Sequence, residues 1–208
     1  MKVLADWAAS RLSLDKAQLR AFELVCSEHL KWNTVFNLSA HRSHDQVVND
    51  QLIDSLTVAD AITGSSILDI GTGPGFPGLP LAITFPDTQF VLLDSNAKKL
   101  AFAKHVVGLL KLQNVEIVHQ RIEHYVPAHK HDQIISRAFC SLSDMIHYAL
   151  PILAPNGQIL AMKGPGVFTE QADAELKYSH CRINVSALHH ARDEEKTRFL
   201  ATVTRTET

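Results

Sequence analysis

The segment Ile67-Leu-Asp-Ile-Gly-Thr-Gly-Pro-Gly-Phe-Pro-Gly78 constrains the fold more than any other part of the chain. A short apolar run enters a turn containing Gly71, Gly73, Gly75 and Gly78, and the apolar positions after it fit a helix. Strand, glycine turn and helix in that order open a doubly wound α/β sheet, where ligands bind beyond the carboxyl ends of the strands. Any tight strand-to-helix turn favours glycine. Four glycines within eight residues at this place favour a binding turn over a purely structural one.

The downstream pattern agrees. Apolar runs at 66–70, 89–93, 115–118, 133–136 and 157–162 read as strands, and 79–84, 97–110 and 144–153 read as helices. Such alternation predicts a parallel sheet covered on both faces. Runs at 182–188 and 198–204, joined by the polar residues 189–197, read as an edge hairpin that brings the count to seven strands. Residues 1–62 read as helices instead. Ala17, Ala21, Leu24 and Val25 recur at helical spacing within 15–32, and Ser43 with Gln46 forms a capping box ahead of Val47. The expectation is a Rossmann-like α/β domain at 63–208, with a seven-stranded, mostly parallel sheet and a helical cap at 1–62, packed as one unit.

Composition narrows the class. With 46% hydrophobic and 20% charged residues the chain is an ordinary globular one, and a formal net charge of -2 excludes a globally basic surface. A nucleic-acid partner therefore needs a local patch. Cys26, Cys140 and Cys181 include no C-x-x-C pair, which argues against a zinc ribbon or disulfide framework and for a reduced, cytosolic protein. Residues 1–10 carry Asp6, and no run has the apolar length of a signal or membrane span, so a soluble protein without a membrane partner is expected. Nothing in the sequence requires more than a monomer.

Two ligand classes compete for the glycine turn. Gly73, Gly75 and Gly78 match G-x-G-x-x-G, which would suit the diphosphate of NAD in an oxidoreductase. However, Pro74 and Pro77 each remove a backbone N–H that a diphosphate would use. Asp69 places a carboxylate beside the turn, where it repels phosphate and attracts the ammonium or sulfonium of S-adenosylmethionine. Asp94 ends the second strand, where it can accept ribose hydroxyls of either ligand. Ile122 and Glu123, after the third strand, can border an adenine. A surface turn with a solvated Glu123 explains the same pattern equally well.

Asp69-Ile-Gly-Thr-Gly-Pro-Gly-Phe-Pro-Gly-Leu-Pro-Leu-Ala82, Leu92-Leu-Asp-Ser95, Ile135-Ser-Arg-Ala-Phe139 and Met162-Lys-Gly164 together resemble the glucose-inhibited division protein B (GidB) family. Asn37-Leu-Ser39 and Leu52-Ile-Asp-Ser-Leu56 resemble its N-terminal signatures, and the likeness runs from about Trp32 to Val203. The resemblance implies a methyltransferase that methylates N7 of a single guanine in 16S ribosomal RNA, near the decoding region, from S-adenosylmethionine. It implies that Gly71, Phe76, Ile122, Glu123 and Arg137 contact the cofactor, and that Lys98, Arg121, Lys163 and Arg198 face the RNA or the target base. The chain departs from the family at Gln51, where relatives usually carry histidine, and at Cys140, where alanine is more common.

That chemistry is consistent with what the sequence lacks. Guanine N7 has a lone pair and no proton, so methyl transfer needs alignment rather than a general base. Methylation of an exocyclic amine would call for an Asn/Asp-Pro-Pro-aromatic loop, where this chain has Ser136-Arg-Ala-Phe139. Methylation at pyrimidine C5 would need a nucleophilic cysteine, and the candidate Cys140 reads as a buried, inert thiol. Lys163, Arg121 and Arg198 are expected to position RNA. Phe139 either stacks on the target base or belongs to the core. His129 with His131, and His189 with His190, lack a third ligand at zinc spacing and read as surface or turn residues, so no metal is expected. A non-catalytic, ribosome-associated nucleotide binder is the remaining alternative.

Overall fold

The computed structural model describes residues 1–188 and 198–206. The connection at 189–197, with His189 and His190, lies outside the described residues. Helices α1 (Lys2–Ala8), α2 (Lys16–Phe36) and α3 (His44–Val47) come first, then a π-helical stretch, Val48–Ile53, and α4 (Asp54–Leu56). The sheet strands are β1 (Ser66–Ile70), β2 (Gln89–Asp94), β3 (Val115–His119), β4 (His131–Arg137), β5 (Leu153–Lys163), β6 (Cys181–Leu188) and β7 (Arg198–Arg205). Between them run α5 (Gly78–Thr84), α6 (Ala97–Leu110), α7 (Leu142–Ala149) and α8 (Val167–Lys177).

The seven strands take the order β3-β2-β1-β4-β5-β7-β6. All neighbours through β5 are parallel, and β7 is antiparallel to both β5 and β6. The expected seven-stranded, mostly parallel sheet with an antiparallel end is what forms. Strand order reverses between β1 and β4, and that switch point opens the crevice in which such sheets bind ligands.

Strand alternation divides the core into two layers. Ile67 joins Phe22, Leu79 and Phe102 on the face covered by α2, α5 and α6, and Leu4 and Leu52 of the N-terminal segment belong to the same cluster. Leu68 and Ile70 join Ile146 and Ala174 on the face covered by α7 and α8. Asp69 therefore points to the same side as Ile67, under α5. This period of two decides its role below.

Helix ends follow local chemistry. The capping box at Ser43 and Gln46 forms as expected, and a second forms at Asp15 and Gln18. Gln18 also donates to the carbonyls of Ile83 and Thr84 at 3.0 and 3.2 Å, which locks the start of α2 to the end of α5. His29 of α2 packs edge-on against both Phe76 and Phe102.

Candidate active site

β1 delivers the glycine turn to the switch point. Gly71 (φ 70°) donates its N–H to the Leu93 carbonyl at 2.8 Å, and Gly73 donates to Asp94 Oδ2 at 2.8 Å. Gly75 sits at φ 100°, and a Cβ there would lie 2.3 Å from Leu79. Only glycine fits that bend.

The expectation for Asp69 needs correction. It is 0% exposed, and its Oδ2 accepts the Thr72 hydroxyl at 2.6 Å and the Gly78 N–H at 2.8 Å. The carboxylate does not face a ligand, because strand alternation turns it beneath the first residue of α5. It takes the Gly78 N–H, which an anion at the start of α5 would use. Burial pushes its pKa up to about 6, against the opposing pull of the Thr72 and Gly78 bonds.

Two cavities open along the carboxyl ends of the strands. The first, about 280 Å³, is lined by Gly71, Asp94, Arg121, Ile122, Glu123 and Phe139 among others. Asp94 spends one oxygen on Gly73 and the other on the Asn96 N–H at 2.7 Å, yet a carboxylate has about four acceptor positions. Lone pairs remain for ribose hydroxyls, and Ile122 supplies an apolar wall. The donor set fits an adenosine-bearing ligand.

The second cavity, about 620 Å³, is lined by Arg137, Lys163, Arg198, Asp54, Gln51 and Glu170 with several neighbours. Arg137 donates to Asp54 Oδ2 at 2.7 Å, to the Asp50 carbonyl at 3.2 Å and to Gln51 Oε1. Arg198 donates to the other Asp54 oxygen at 3.3 Å. Gln51, standing where the family usually has histidine, also contacts His41 Nδ1 at 3.0 Å, so an imidazole reaches this wall from a different position. Asp54 and Gln51 belong to the π-helical stretch and its continuation, a local geometry frequent at functional sites.

Ala138 and Phe139 line both cavities. Ala138 holds φ 52°, a left-handed conformation costly for a residue with a Cβ, and Phe139 lies directly over Gly71. A Cβ on Gly71 would come within 2.6 Å of the Phe139 ring. The ring therefore belongs to the boundary between the cavities, although it also packs against the α7 side of the core.

Other expected site residues sit elsewhere. Arg137 lies in the second cavity rather than with Asp94, because it is drawn to Asp54. Phe76 is 2% exposed and packs under Arg137 and against His29, since the turn folds its ring inward. Arg121 lines the first cavity, apart from Lys163 and Arg198, because it directly precedes the Ile122 turn. Lys98 is exposed on the first turn of α6, while its neighbour Lys99 lines the first cavity.

His131 is also not a surface residue. It is buried, with Ser66 Oγ and Tyr125 Oη at 3.0 and 3.1 Å from its two ring nitrogens. No group of three potential metal ligands occurs among the described residues. Cys140 is half-buried and lines the second cavity, so the buried thiol expected from the sequence is not found, and its partial burial raises the thiol to about 11. Sequence reasoning missed Asp54, Glu170 and Lys99. Asp54 stood inside a quoted signature, and its acidic side chain in an apolar run was the available signal.

The GidB family model, described as rRNA small subunit methyltransferase G, matches residues 18–200. The chain belongs to this family. The match starts well before Trp32, so it includes most of α2. Among curated GidB relatives, ribosomal RNA small subunit methyltransferase G of Legionella pneumophila (strain Lens) is 44% identical over 162 residues, covering 78% of each chain. The enzyme of the same name from Shewanella frigidimarina is 38% identical over 186 residues, 89% of this chain and 88% of its own. Solved structures add the fold. A putative O-methyltransferase from Klebsiella pneumoniae superposes with a TM-score of 0.63 at 14% identity, covering 99% of this chain and 97% of its own. TomG, an O-methyltransferase of Streptomyces achromogenes solved in complex with SAM, gives 0.61 at 13% identity, covering 99% and 96%. This GidB member is a methyltransferase with a Rossmann-like fold.

Proposed function

We propose that the chain transfers the methyl group of S-adenosylmethionine to N7 of one guanine in 16S ribosomal RNA, free or within the small subunit. One observation carries the reading: a nucleoside-type cavity at Asp94 and Ile122 shares Ala138 and Phe139 with a cavity holding Arg137, Lys163 and Arg198. Donor and acceptor would thus meet at one boundary, with cations on the side a polyanion must enter. When bound, S-adenosylmethionine supplies an electrophilic methyl on a sulfonium.

The chain's own residues bind and orient. Asp94 accepts ribose hydroxyls, Ile122 and Glu123 border the adenine, and Gly71 lets the ligand approach the backbone. Arg198 and the exposed Lys98 attract phosphates, and Phe139 offers a face to the splayed base. No residue needs to remove a proton, because N7 carries none. Asp69 supports the choice of donor over a dinucleotide by occupying the Gly78 N–H.

The same reading makes the protein a monomer acting in the cytosol. No helix among the described residues is long and apolar enough to cross a membrane, and the three cysteines are free thiols. The test is tritiated-methyl transfer to small-subunit rRNA from cells lacking the enzyme, followed by mapping of the modified nucleotide. Label at a single guanine, as the acid-stable N7-methyl base, is expected. Folded protein that binds S-adenosylhomocysteine yet labels neither free rRNA nor subunits would overturn the reading.

A further inference from the structure

The larger cavity contains a charged pair with unspent hydrogen-bonding capacity. Lys163 Nζ donates to the Cys140 carbonyl and to Glu170 Oε2 at 2.7 Å. An ammonium has three N–H groups, so one remains. Glu170 Oε2 also accepts the Leu142 N–H at 2.6 Å, while Oε1 takes no hydrogen bond among the described residues. Both side chains line the cavity, at 10% and 33% exposure, and backbone groups at Cys140 and Leu142 hold them in place. The rim thus presents a fixed donor beside a fixed acceptor. Arg137 is spent on Asp50, Asp54 and Gln51, whereas the more exposed Arg198, bonded to Asp54 through Nε, keeps its remaining N–H groups for phosphate.

Purines carry matching or opposing patterns on their edges. Guanine sets the O6 acceptor next to the N1–H donor, whereas adenine sets an N6 amine next to the bare N1. We infer that Lys163 and Glu170 together read the target guanine, the ammonium donating to O6 and Glu170 Oε1 accepting from N1–H. The inference rests on the methyltransferase reading above and names its base-selecting residues. This arrangement leaves N7 unengaged for attack.

Glu170 would also act during the reaction. The N7 lone pair forms the new N–C bond as the C–S bond breaks, its electrons remaining on sulfur, and no proton moves. The purine gains a positive charge, so its N1–H becomes a stronger donor. A carboxylate accepting that hydrogen binds the transition state more tightly than the ground state. Its loss should therefore lower kcat more than it raises KM.

Ligated small-subunit rRNA with either guanine or 2-aminopurine at the target tests the idea. 2-Aminopurine keeps N7 but lacks O6 and N1–H. Wild-type protein should methylate the guanine RNA at least about fivefold faster, the lower end of what one bidentate base contact confers. Glu170→Gln, which can still accept from Leu142, should lower kcat on guanine RNA by about ten- to a hundredfold. It should also narrow the guanine preference, with S-adenosylhomocysteine affinity unchanged and the variant still folded by circular dichroism.

Equal wild-type rates on the two RNAs overturn the inference whatever the variant does, and so does an unchanged preference in a folded Glu170→Gln. Wild-type protein that binds S-adenosylhomocysteine but methylates neither RNA, as ligated rRNA or as subunits, instead refutes the parent reading.

Discussion

Asp69 Oδ2 accepts the Gly78 N–H at 2.8 Å, so the last part of β1 holds the first residue of α5 across the glycine turn. The same oxygen takes the Thr72 hydroxyl. One buried carboxylate thus fixes both ends of the glycine turn, and it does so from beneath.

Removing that carboxylate should loosen the turn. Asp69→Ala leaves the Gly78 N–H and the Thr72 hydroxyl buried without partners, at a cost of about 1–3 kcal/mol for each. Asp69→Asn keeps one acceptor and should lose less. Urea unfolding at pH 7 measures both, and an Asp69→Ala protein as stable as wild type would contradict the role. Gly78→Ala should be at least as harmful, because its Cβ would lie 2.1 Å from Leu92 and 2.8 Å from Asp69 Oδ2.

Asp94 combines a turn bond with the ligand role proposed for it. Asp94→Ala should weaken S-adenosylhomocysteine binding by about 1–3 kcal/mol, the cost of leaving polar groups unpaired. Isothermal titration calorimetry reads this directly. Unchanged affinity would remove Asp94 from the site.

Asp54 ties the N-terminal segment to the sheet through Arg137 and Arg198, and its side chain is 4% exposed. Asp54→Ala leaves Arg137 without its carboxylate and should destabilise the protein by about 3 kcal/mol, as breaking a buried pair does. Amide exchange should quicken first in residues 44–56. Stability and exchange equal to wild type would show that this pair holds nothing together.

His29 gives a pH signature. It is fully buried, both ring nitrogens lack partners among the described residues, and burial lowers its pKa from 6.5 to about 4. Between these values the unfolded chain binds the proton and the folded one does not, so this group lowers stability as pH falls from 6.5 towards 4. The full effect is on the order of 3 kcal/mol. Asp69 acts in the opposite sense: its folded value is raised, so protonation stabilises the fold as pH drops through about 6. Stability curves of wild type and His29→Phe should therefore keep a constant offset near pH 7 and change it towards pH 4.5, with wild type losing more. Parallel curves would exclude the histidine.

The chain's own order of residues determined the sheet, because apolar runs of strand length and the glycine turn are local signals. β1 (Ser66–Ile70) and α6 (Ala97–Leu110) fall on the boundaries expected from pattern alone. Boundaries moved where partners extend an element, as at β5, which begins at Leu153 beside His131 rather than at Gly157. That Gly71, Asp94 and Ile122 line one cavity was legible too, since they lie at or just after the carboxyl ends of β1, β2 and β3.

Only tertiary structure decided the rest. Whether Asp69 faces a ligand or the underside of α5 depends on which sheet face is covered, and Arg137 goes where the distant Asp54 draws it, 83 residues away in sequence. Lys163 and Glu170 meet because β5 and α8 fold back on each other around Gly164. A linear pattern records which groups a chain carries. Which of them stay unpaired and face a cavity is settled by long-range packing, and that choice gives the site its chemistry.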